Sequence, residues 1–212
     1  MEQFVIEQGT PEWKAMRCGK ITASRIKDMM AKTKSGPSAS RKNLASTLML
    51  ERITGIVADS YTNAAMEWGV TNEPLARLAF SIATGLDVEE VPFVNHQTIE
   101  RSGASPDGLV VESGLLGVLE IKCGHTATHV GWAIDGVVPQ DHVLQLQWQM
   151  ACTGARFGYF ASFDPRMPEH QSLLVRKMPA DDSMIYMLEQ EVVKFDAEIE
   201  AMIADLEMVK WY

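Results

Sequence analysis

The sequence has little of several features that define broad protein classes. Cys18, Cys123 and Cys152 are odd in number and far apart, which excludes a disulfide framework and the paired spacing of a zinc site. No apolar run is long enough for a transmembrane helix. The first residues carry acids where a signal peptide needs a basic segment and then an apolar one. We therefore expect a cytoplasmic protein with no membrane partner.

Positive charge is also in deficit, with 19 Lys and Arg against 28 Asp and Glu and a net charge of −9. The deficit is not uniform along the chain. Residues 13–42 hold nine basic residues and one acid, a balance of +8, whereas residues 178–212 hold nine acids and two lysines, a balance of −7. The basic stretch is therefore either a solvated surface or a surface that holds a phosphate backbone.

The 212 residues, 46% of them hydrophobic, suffice for one domain with a sizeable core. We predict a single domain over 1–212, with a basic helical segment at about 10–55, a sheet core at about 88–177 and an acidic helix at about 180–209. Residues 32–40 are expected to form a flexible basic loop. The predicted strands are 88–94, 98–104, 109–111, 117–123, 156–163 and 172–177. The predicted helices are 10–17, one capped by Thr22, 43–54, 63–84 with interruptions at Gly69 and Pro74, 126–134, 140–153 and 180–209. This order favours an α/β fold with a sheet between helices.

Two short motifs carry candidate chemistry. Ser105-Pro106-Asp107-Gly108 is, taken alone, a turn between two strands. Glu120-Ile121-Lys122 lies in the strongest predicted strand, where residues two apart share a face. Taken alone, Glu120 and Lys122 could simply line a solvated face.

Together the two motifs indicate a metal site. Asp107, twelve intervening residues and Glu120-x-Lys122 would bring two carboxylates together from neighbouring strands, and carboxylates are ligands that Mg²⁺ prefers. The carbonyl of Ile121 can supply a third ligand. An ammonium nearby can orient a water or offset charge on a phosphate, so the pattern fits metal-assisted phosphodiester hydrolysis.

Two predicted helices carry further polar candidates. Glu73 is an acid in a helix that is otherwise rich in apolar residues, and it is either solvated or functional. Gln145 and Gln149 share one helical face, whereas Gln147 lies elsewhere. Amides there either cover surface or hold groups beside a metal.

The chain resembles the lambda exonuclease family, the YqaJ-like viral recombinase nucleases within the PD-(D/E)XK superfamily. The resemblance extends from about Glu7 to Met167. The matching pieces are Glu7-Gln8-Gly9 with Trp13, Arg17-x-Gly19-x-Ile21-Thr22-Ala23-Ser24, Trp68-Gly69 with Glu73, Ser105-Pro106-Asp107-Gly108, Glu120-x-Lys122-Cys123, Gln145-x-Gln147, and Tyr159-Phe160-Ala161 with Asp164-Pro165-Arg166-Met167.

The resemblance implies a restriction-endonuclease-like central mixed sheet flanked by helices, and it assigns roles to individual residues. It makes Asp107, Glu120 and the Ile121 carbonyl metal ligands, and Lys122 the catalytic lysine that positions the attacking water. Glu73 and Gln145 become further active-centre residues. Arg17, Ser24 and Ser105 would bind the 5′-phosphate of the DNA end, and Met66 would part the terminal base pair.

The resemblance also implies an activity and partners. We expect a 5′→3′ exonuclease that uses two Mg²⁺ ions, with Mn²⁺ as a substitute, and digests double-stranded DNA ends to leave 3′ single strands for recombination. The expected partners are a single-strand annealing protein and two further copies of the chain in a ring-shaped homotrimer around DNA.

The sequence departs from the family at two places. The stretch between Asp107 and Glu120 is a few residues longer, which predicts a longer hairpin. Gly124 follows Cys123 where the family often has Pro, and Thr128 or His129 occupies the region of a phosphate-binding Arg.

Other readings of the sequence are a structure-specific or endonucleolytic repair nuclease of the same superfamily, an inactive DNA-binding subunit, and an unrelated α/β protein. The intact Asp107, Glu120 and Lys122 argue against the inactive subunit. The ordered matches argue against the unrelated protein.

Overall fold

The computed structural model describes residue 6 and residues 8–34, 36–58 and 64–211. Glu7 and Asn63, named above in the resemblance and as a helix start, lie outside this range. The helices are α1 Pro11–Arg17, α2 Ile26–Met30, α3 Ala39–Thr54, α4 Ala64–Thr84, α5 Thr126–Asp135, α6 Gln140–Thr153 and α7 Asp182–Glu207. The strands are β1 Ile21–Thr22, β2 Lys32–Thr33, β3 Gly36–Pro37, β4 Val94–Asn95, β5 Ser102–Ala104, β6 Gly108–Glu112, β7 Leu115–Lys122, β8 Phe157–Phe163 and β9 Leu173–Pro179.

The described residues fall into two compact units. The first comprises Met1–Asp59, Pro92–Ser105 and Asp181–Tyr212, and the second comprises Ser60–Val91 and Pro106–Ala180. The prediction of a single domain over 1–212 stays a prediction. No helix within the described ranges is long and apolar enough to cross a bilayer.

The first unit is built on a small mixed sheet and two long helices. Strand β5 pairs with β1 in parallel and with β4 antiparallel. Helix α3 packs against α7, whose stripe of Leu188, Val192, Phe195 and Ile199 is buried.

The two charged stretches of the sequence meet in this unit. Arg41 pairs with Glu198 at 2.5 Å, and Lys32 lies 3.9 Å from Glu191 of α7. Arg52 of α3 binds both Asp196 and Glu200. Arg41 and Lys32 of the basic stretch are therefore paired with acids of α7.

The second unit is a four-stranded mixed sheet in the order β6-β7-β8-β9. Strands β7 and β8 are parallel, and the outer pairs are antiparallel. Leu119, Ile121 and Cys123 point to one face and pack with Ala76 and Phe80 of α4. Helix α6 packs against β7 and β8. The predicted α/β class, with a central mixed sheet flanked by helices, is confirmed.

Four local predictions were wrong. Residues 32–40 contain a short hairpin of β2 and β3. Two of the predicted strands are 88–94 and 98–104. Apart from an isolated bridge at Glu89, only residue 94 of the first and residues 102–104 of the second lie in strands. Thr22 makes no capping hydrogen bond, and its hydroxyl instead lies 3.2 Å from that of Ser24.

The fourth error concerns α4, which runs unbroken through Gly69 and Pro74. A proline removes the bond to the carbonyl four residues earlier, here that of Val70. Val70 is 74% exposed, so water can satisfy this carbonyl. Thr71 and Asn72 donate side-chain hydrogen bonds to the carbonyls of Glu67 and Trp68, which supports the same turn.

Candidate functional site

The β6–β7 hairpin brings Asp107 beside the Glu120-x-Lys122 motif. The strands pair from Gly108 with Leu119 to Glu112 with Leu115, and the connecting Ser113 and Gly114 both have positive φ, as a two-residue hairpin turn requires. Asp107 therefore lies opposite the end of β7. Its N–H donates to the Leu119 carbonyl at 3.0 Å, and its Oδ2 accepts from the Ile121 N–H at 2.6 Å.

Glu120 and Lys122 share one face of β7, as predicted. The Lys122 Nζ lies 2.5 Å from Glu120 Oε1. Glu120 is 1% exposed, whereas 32% of the Lys122 side chain is exposed. The buried carboxylate thus holds in place a lysine whose side chain is partly exposed.

Two glutamine amides of α6 complete the contacts of Glu120. Gln145 Nε2 donates to Oε1 at 2.7 Å, and Gln149 Nε2 donates to Oε2 at 2.5 Å. The sequence singled out Gln145, but Gln149 was not assigned to the site. Its spacing of four residues from Gln145 was the available signal, because such residues are neighbours on one helical face.

Glu73 of α4 joins this cluster through an arginine that the sequence did not single out. Arg77 Nη2 donates to Glu73 Oε1 at 2.7 Å, and Arg77 Nε donates to the carbonyl of Asp107 at 3.1 Å. Arg77 also pairs with Glu90 at 3.0 Å. It therefore links the helix acid to the backbone of the hairpin.

A cavity of 440 Å³ opens onto these groups. Its lining includes Glu73, Asp107, Ile121 and Lys122, and also Met66. Met66 is 49% exposed. The structure thus brings Met66 to the cavity of the carboxylates, while its role at a base pair stays a prediction.

The carboxylates of the cavity repel one another. Burial, and then the negative charge of Glu120, raise the pKa of Asp107 well above its ordinary value. Burial is also the main cause that raises the pKa of Glu73, with Glu120 contributing. Burial alone would lower the pKa of Lys122, but Glu120 and Asp107 raise it to about 12. The lysine is therefore charged and faces Asp107 and Glu120, whereas Arg77 pairs with Glu73.

The donor set fits a hard divalent cation. Carboxylate oxygens of Asp107 and Glu120 and the main-chain carbonyl of Ile121 are the oxygen ligands that Mg²⁺ takes, and an added cation would relieve the repulsion that raises the pKa of Asp107. Within the described residues, no three His, Cys, Asp or Glu side chains are already grouped as a metal site. The fit therefore rests on two carboxylates, one carbonyl and water.

The second predicted cluster, in the first unit, gathers Arg17, Ser24 and Ser105. Arg17 at the end of α1 donates from Nη1 to Ser105 Oγ at 3.1 Å and from Nη2 to Ser24 Oγ at 3.4 Å. Trp13 donates from its indole nitrogen to Ser105 Oγ at 3.0 Å, and its ring lies 4.0 Å from the guanidinium. The structure thus adds Trp13 to the three predicted residues.

Arg17 differs from the other arginines of this unit. Burial, and then the charge of Arg25, lower the pKa of Arg17 to about 10. Arg25, Arg41 and Arg52 each bind a carboxylate. Arg17 forms no ion pair with any residue that the structure describes, so its charge is available to an anion.

Glu51 of α3 braces this region, and sequence reasoning missed it. The carboxylate is 1% exposed and accepts two hydrogen bonds from Arg25, at 2.9 and 3.2 Å, and one from the Gly19 N–H at 2.8 Å. Burial opposes its ionisation, but these hydrogen bonds lower the pKa of Glu51 below its ordinary value. Arg52 Nε also donates to the Gly19 carbonyl at 2.9 Å, so α3 holds the segment that follows Arg17.

Comparison with known proteins gave one family and several structures. The YqaJ-like viral recombinase domain matches residues 12–156. An alkaline exonuclease from Laribacter hongkongensis, LHK-Exo, is 42% identical, covers 93% of this chain and 96% of its own, and has a TM-score of 0.85. Its complex with dAMP has the same identity and coverage and a TM-score of 0.86.

A phage-related exonuclease from Haemophilus somnus 129PT has a TM-score of 0.72 at 12% identity, covering 88% of this chain and 96% of its own. At that identity the likeness concerns the fold alone. No match was found among curated proteins.

Proposed function

Because the chain belongs to the YqaJ-like viral recombinase family, as its sequence motifs predicted, we propose that it is a Mg²⁺-dependent 5′→3′ exonuclease that digests double-stranded DNA ends. At a coarser level, the chain is a nuclease of the alkaline exonuclease type. Polarity, metal and product are the parts that are proposed.

The observation that carries the proposal is the convergence of Asp107, Glu120 and Lys122 at one cavity. A divalent cation bound there would polarise the phosphodiester and lower the pKa of an attacking water. Asp107, Glu120 and the Ile121 carbonyl would hold it. LHK-Exo has been crystallised with dAMP, and a deoxynucleoside monophosphate is the product expected of an exonuclease.

The chain's own residues supply orientation and charge. Gln145 and Gln149 fix both oxygens of Glu120, so this carboxylate presents a constant geometry. Lys122 keeps its proton because its pKa is about 12, and its ammonium offsets charge that grows on the phosphate and holds the attacking water. Glu73, tied to Arg77, lies on the helix side of the cavity.

The preference for a DNA end is assigned to Arg17, Ser24 and Ser105. A hydroxyl has two acceptor lone pairs and one donor. Ser105 Oγ already accepts from Trp13 and Arg17, which leaves its own O–H to donate to a phosphate oxygen. The pocket would thus hold a terminal 5′-phosphate, and digestion would proceed from the 5′ end.

Further parts of the proposal come from the resemblance. Met66 would separate the terminal base pair, three copies would form a ring around DNA, and the 3′ single strand would pass to an annealing protein. Gel filtration with light scattering tests the trimer independently of activity.

One experiment tests reaction, polarity and metal together. Linear duplexes labelled at the 5′ or the 3′ end, and a closed circular plasmid, are incubated with Mg²⁺ or with a chelator. We expect mononucleotides from the 5′ end first, in Mg²⁺ alone, and an intact plasmid. A cut plasmid would favour the endonucleolytic alternative, and no cleavage would favour the inactive DNA-binding subunit.

A further inference from the structure

The segment after Cys123 lacks the cation expected there. Thr128 is exposed and uncharged. His129 is 2% exposed, and its Nε2 lies 2.9 Å from the Gln171 carbonyl while its Nδ1 lies 2.8 Å from Ser162 Oγ. A carbonyl only accepts, so Nε2 carries a hydrogen and donates it to Gln171. His129 therefore binds the core and is not a phosphate ligand.

Arg166, in the turn after β8, reaches this segment from another part of the chain. Its Nη2 donates to the Gly124 carbonyl at 2.9 Å. Its Nε and Nη2 also donate to the two oxygens of Asp164, at 2.7 and 3.0 Å. Asp164 is fully buried and accepts a further hydrogen bond from Thr126 at 2.5 Å. The guanidinium is thus fixed on one side by a buried carboxylate.

Arg166 also stacks on an aromatic ring and is partly exposed. Its guanidinium carbon lies 4.5 Å from the ring of Trp68 on α4, which fixes the plane of the group. The side chain is 44% exposed. Arg166 and Trp68 line a cavity of 190 Å³ that shares Ala65, Cys123 and Gly124 with the 440 Å³ cavity of Asp107 and Lys122.

We propose that Arg166 binds a backbone phosphate of the DNA strand that enters the Asp107 cavity, and so supplies from the β8–β9 turn the cation that α5 lacks. The inference rests on the proposed nuclease function. Three features support it: a guanidinium held in one orientation, a side chain that is 44% exposed, and a position at the wall of the adjoining cavity. Nε and Nη2 are committed to Asp164 and Gly124, so the two hydrogens of Nη1 are the donors that would meet the phosphate.

The test measures DNA binding in a chelator, so that cleavage does not interfere. Affinity for a 5′-hydroxyl duplex is determined at several salt concentrations for the wild type, Arg166→Gln and Arg166→Lys. The salt slope is the steepness with which the logarithm of the binding constant falls with the logarithm of the salt concentration. Loss of one phosphate contact should lower it by about one and weaken binding roughly tenfold. Arg166→Lys keeps the charge, so most of the slope should remain while affinity falls less.

Two controls separate this role from others. Arg101 has a similarly exposed side chain, at 46%, and also pairs with an acid, but it lines neither cavity. Arg101→Gln therefore removes the same charge and should leave the slope unchanged. Arg166→Gln strips a partner from the buried Asp164 and can lower the melting temperature. Asp164→Asn with Arg166→Gln removes that unpaired charge and should keep the lowered slope.

Three results would overturn the proposal: an unchanged slope in Arg166→Gln, an equal loss in Arg101→Gln, or recovery of the slope in the double variant. Failure of the nuclease function is seen separately. If the wild type bound duplex DNA but released no nucleotide in Mg²⁺, the proposed function would be wrong, whereas the Arg166 slope would still be measurable.

Discussion

The two units each contain a buried carboxylate, and the two are held in opposite ways. Glu51 and Glu120 are both 1% exposed. Glu51 receives a bidentate guanidinium and a main-chain amide, and its pKa is lowered. Glu120 receives an ammonium and two neutral amides, and its charge helps to raise the pKa of Asp107 and Glu73. Although the two are equally buried, the charge of Glu51 is balanced by its partners and stabilises the fold, whereas negative charge around Glu120 is left unbalanced.

This difference indicates which acids do chemistry. A carboxylate whose charge is balanced by hydrogen-bond donors, as in Glu51, stabilises the fold and does not need a ligand. Asp107 and Glu120, which share Lys122, repel each other until a cation binds, and perturbed pKa values in a cavity are typical of functional sites. Substitutions at Glu51 and at the Asp107–Glu120 cluster test this difference.

The largest effect is expected for Asp107→Asn. It should remove a metal ligand and with it several kcal/mol of transition-state stabilisation, a loss of roughly 10³ or more in rate. In a chelator the same change should raise the melting temperature, because it removes one of the repelling charges. Mg²⁺ should raise the melting temperature of the wild type and leave the variant unmoved. Calorimetry with and without Mg²⁺ measures both shifts in melting temperature. A variant that melts below the wild type without metal would contradict the proposed repulsion between the carboxylates.

Glu51→Ala should act on stability. Removing one partner of a buried pair leaves Arg25 without its carboxylate, and because 25% of the Arg25 side chain is exposed we expect a loss of about 3 kcal/mol in the free energy of unfolding. The contribution of Glu51 should also depend on pH. Its folded-state pKa is lowered, so its stabilisation is present above the unfolded-state value of about 4.3 and is lost as the pH falls through the folded value.

Urea unfolding of Glu51→Ala and the wild type at neutral and at acid pH measures this. The difference in the free energy of unfolding should shrink at acid pH. A constant difference would mean that Glu51 acts through packing and not through its charge.

Lys122→Ala should abolish most cleavage and leave binding intact. Loss of a preorganised electrostatic group costs roughly 10²–10³ in rate, whereas Asp107 and Glu120 still hold the cation. The check combines single-turnover cleavage with the Mg²⁺-induced shift in melting temperature. If the variant kept more than about a tenth of the wild-type rate, which is less than 1.4 kcal/mol of barrier, the role of Lys122 would be wrong.

The smallest effect is expected for Arg17→Ala, which should act on one substrate only. Digestion of 5′-phosphorylated duplexes should slow roughly tenfold, as expected for the loss of a charge-assisted contact, while 5′-hydroxyl duplexes change little. Lys14→Ala removes an equal charge from an exposed position of the same helix and serves as the matched control. Equal slowing on both kinds of end would make Arg17 a general backbone contact.

Much of the carboxylate site could be predicted from the sequence, because strand periodicity is a local rule. Alternation placed Glu120 and Lys122 on one face of β7, and the structure brings their charged atoms to 2.5 Å. The turn propensity of Ser105–Gly108 predicted a change of direction, and the β6–β7 register then places Asp107 at Ile121.

Contacts between distant segments could not be predicted in this way. Glu51 reads as one more helix acid until tertiary packing joins it to Gly19 and Arg25. Arg166 and Trp68 are ninety-eight residues apart in the sequence, and no local sequence pattern predicts their stacking. The unbroken α4 is a similar case, because packing of Ala76 and Phe80 on the sheet outweighs the local effect of Pro74.

The most direct test compares Glu120→Gln with Glu51→Gln, two identical changes at equally buried positions. Turnover on a 5′-hydroxyl duplex in Mg²⁺ and the melting temperature in a chelator are measured for both. We expect Glu120→Gln to lose roughly 10² or more in turnover and to melt higher than Glu51→Gln, whose folded fraction keeps turning over. Similar behaviour of the two variants, or loss of turnover in Glu51→Gln alone, would contradict the assignment of the Asp107–Glu120 cluster as the working site.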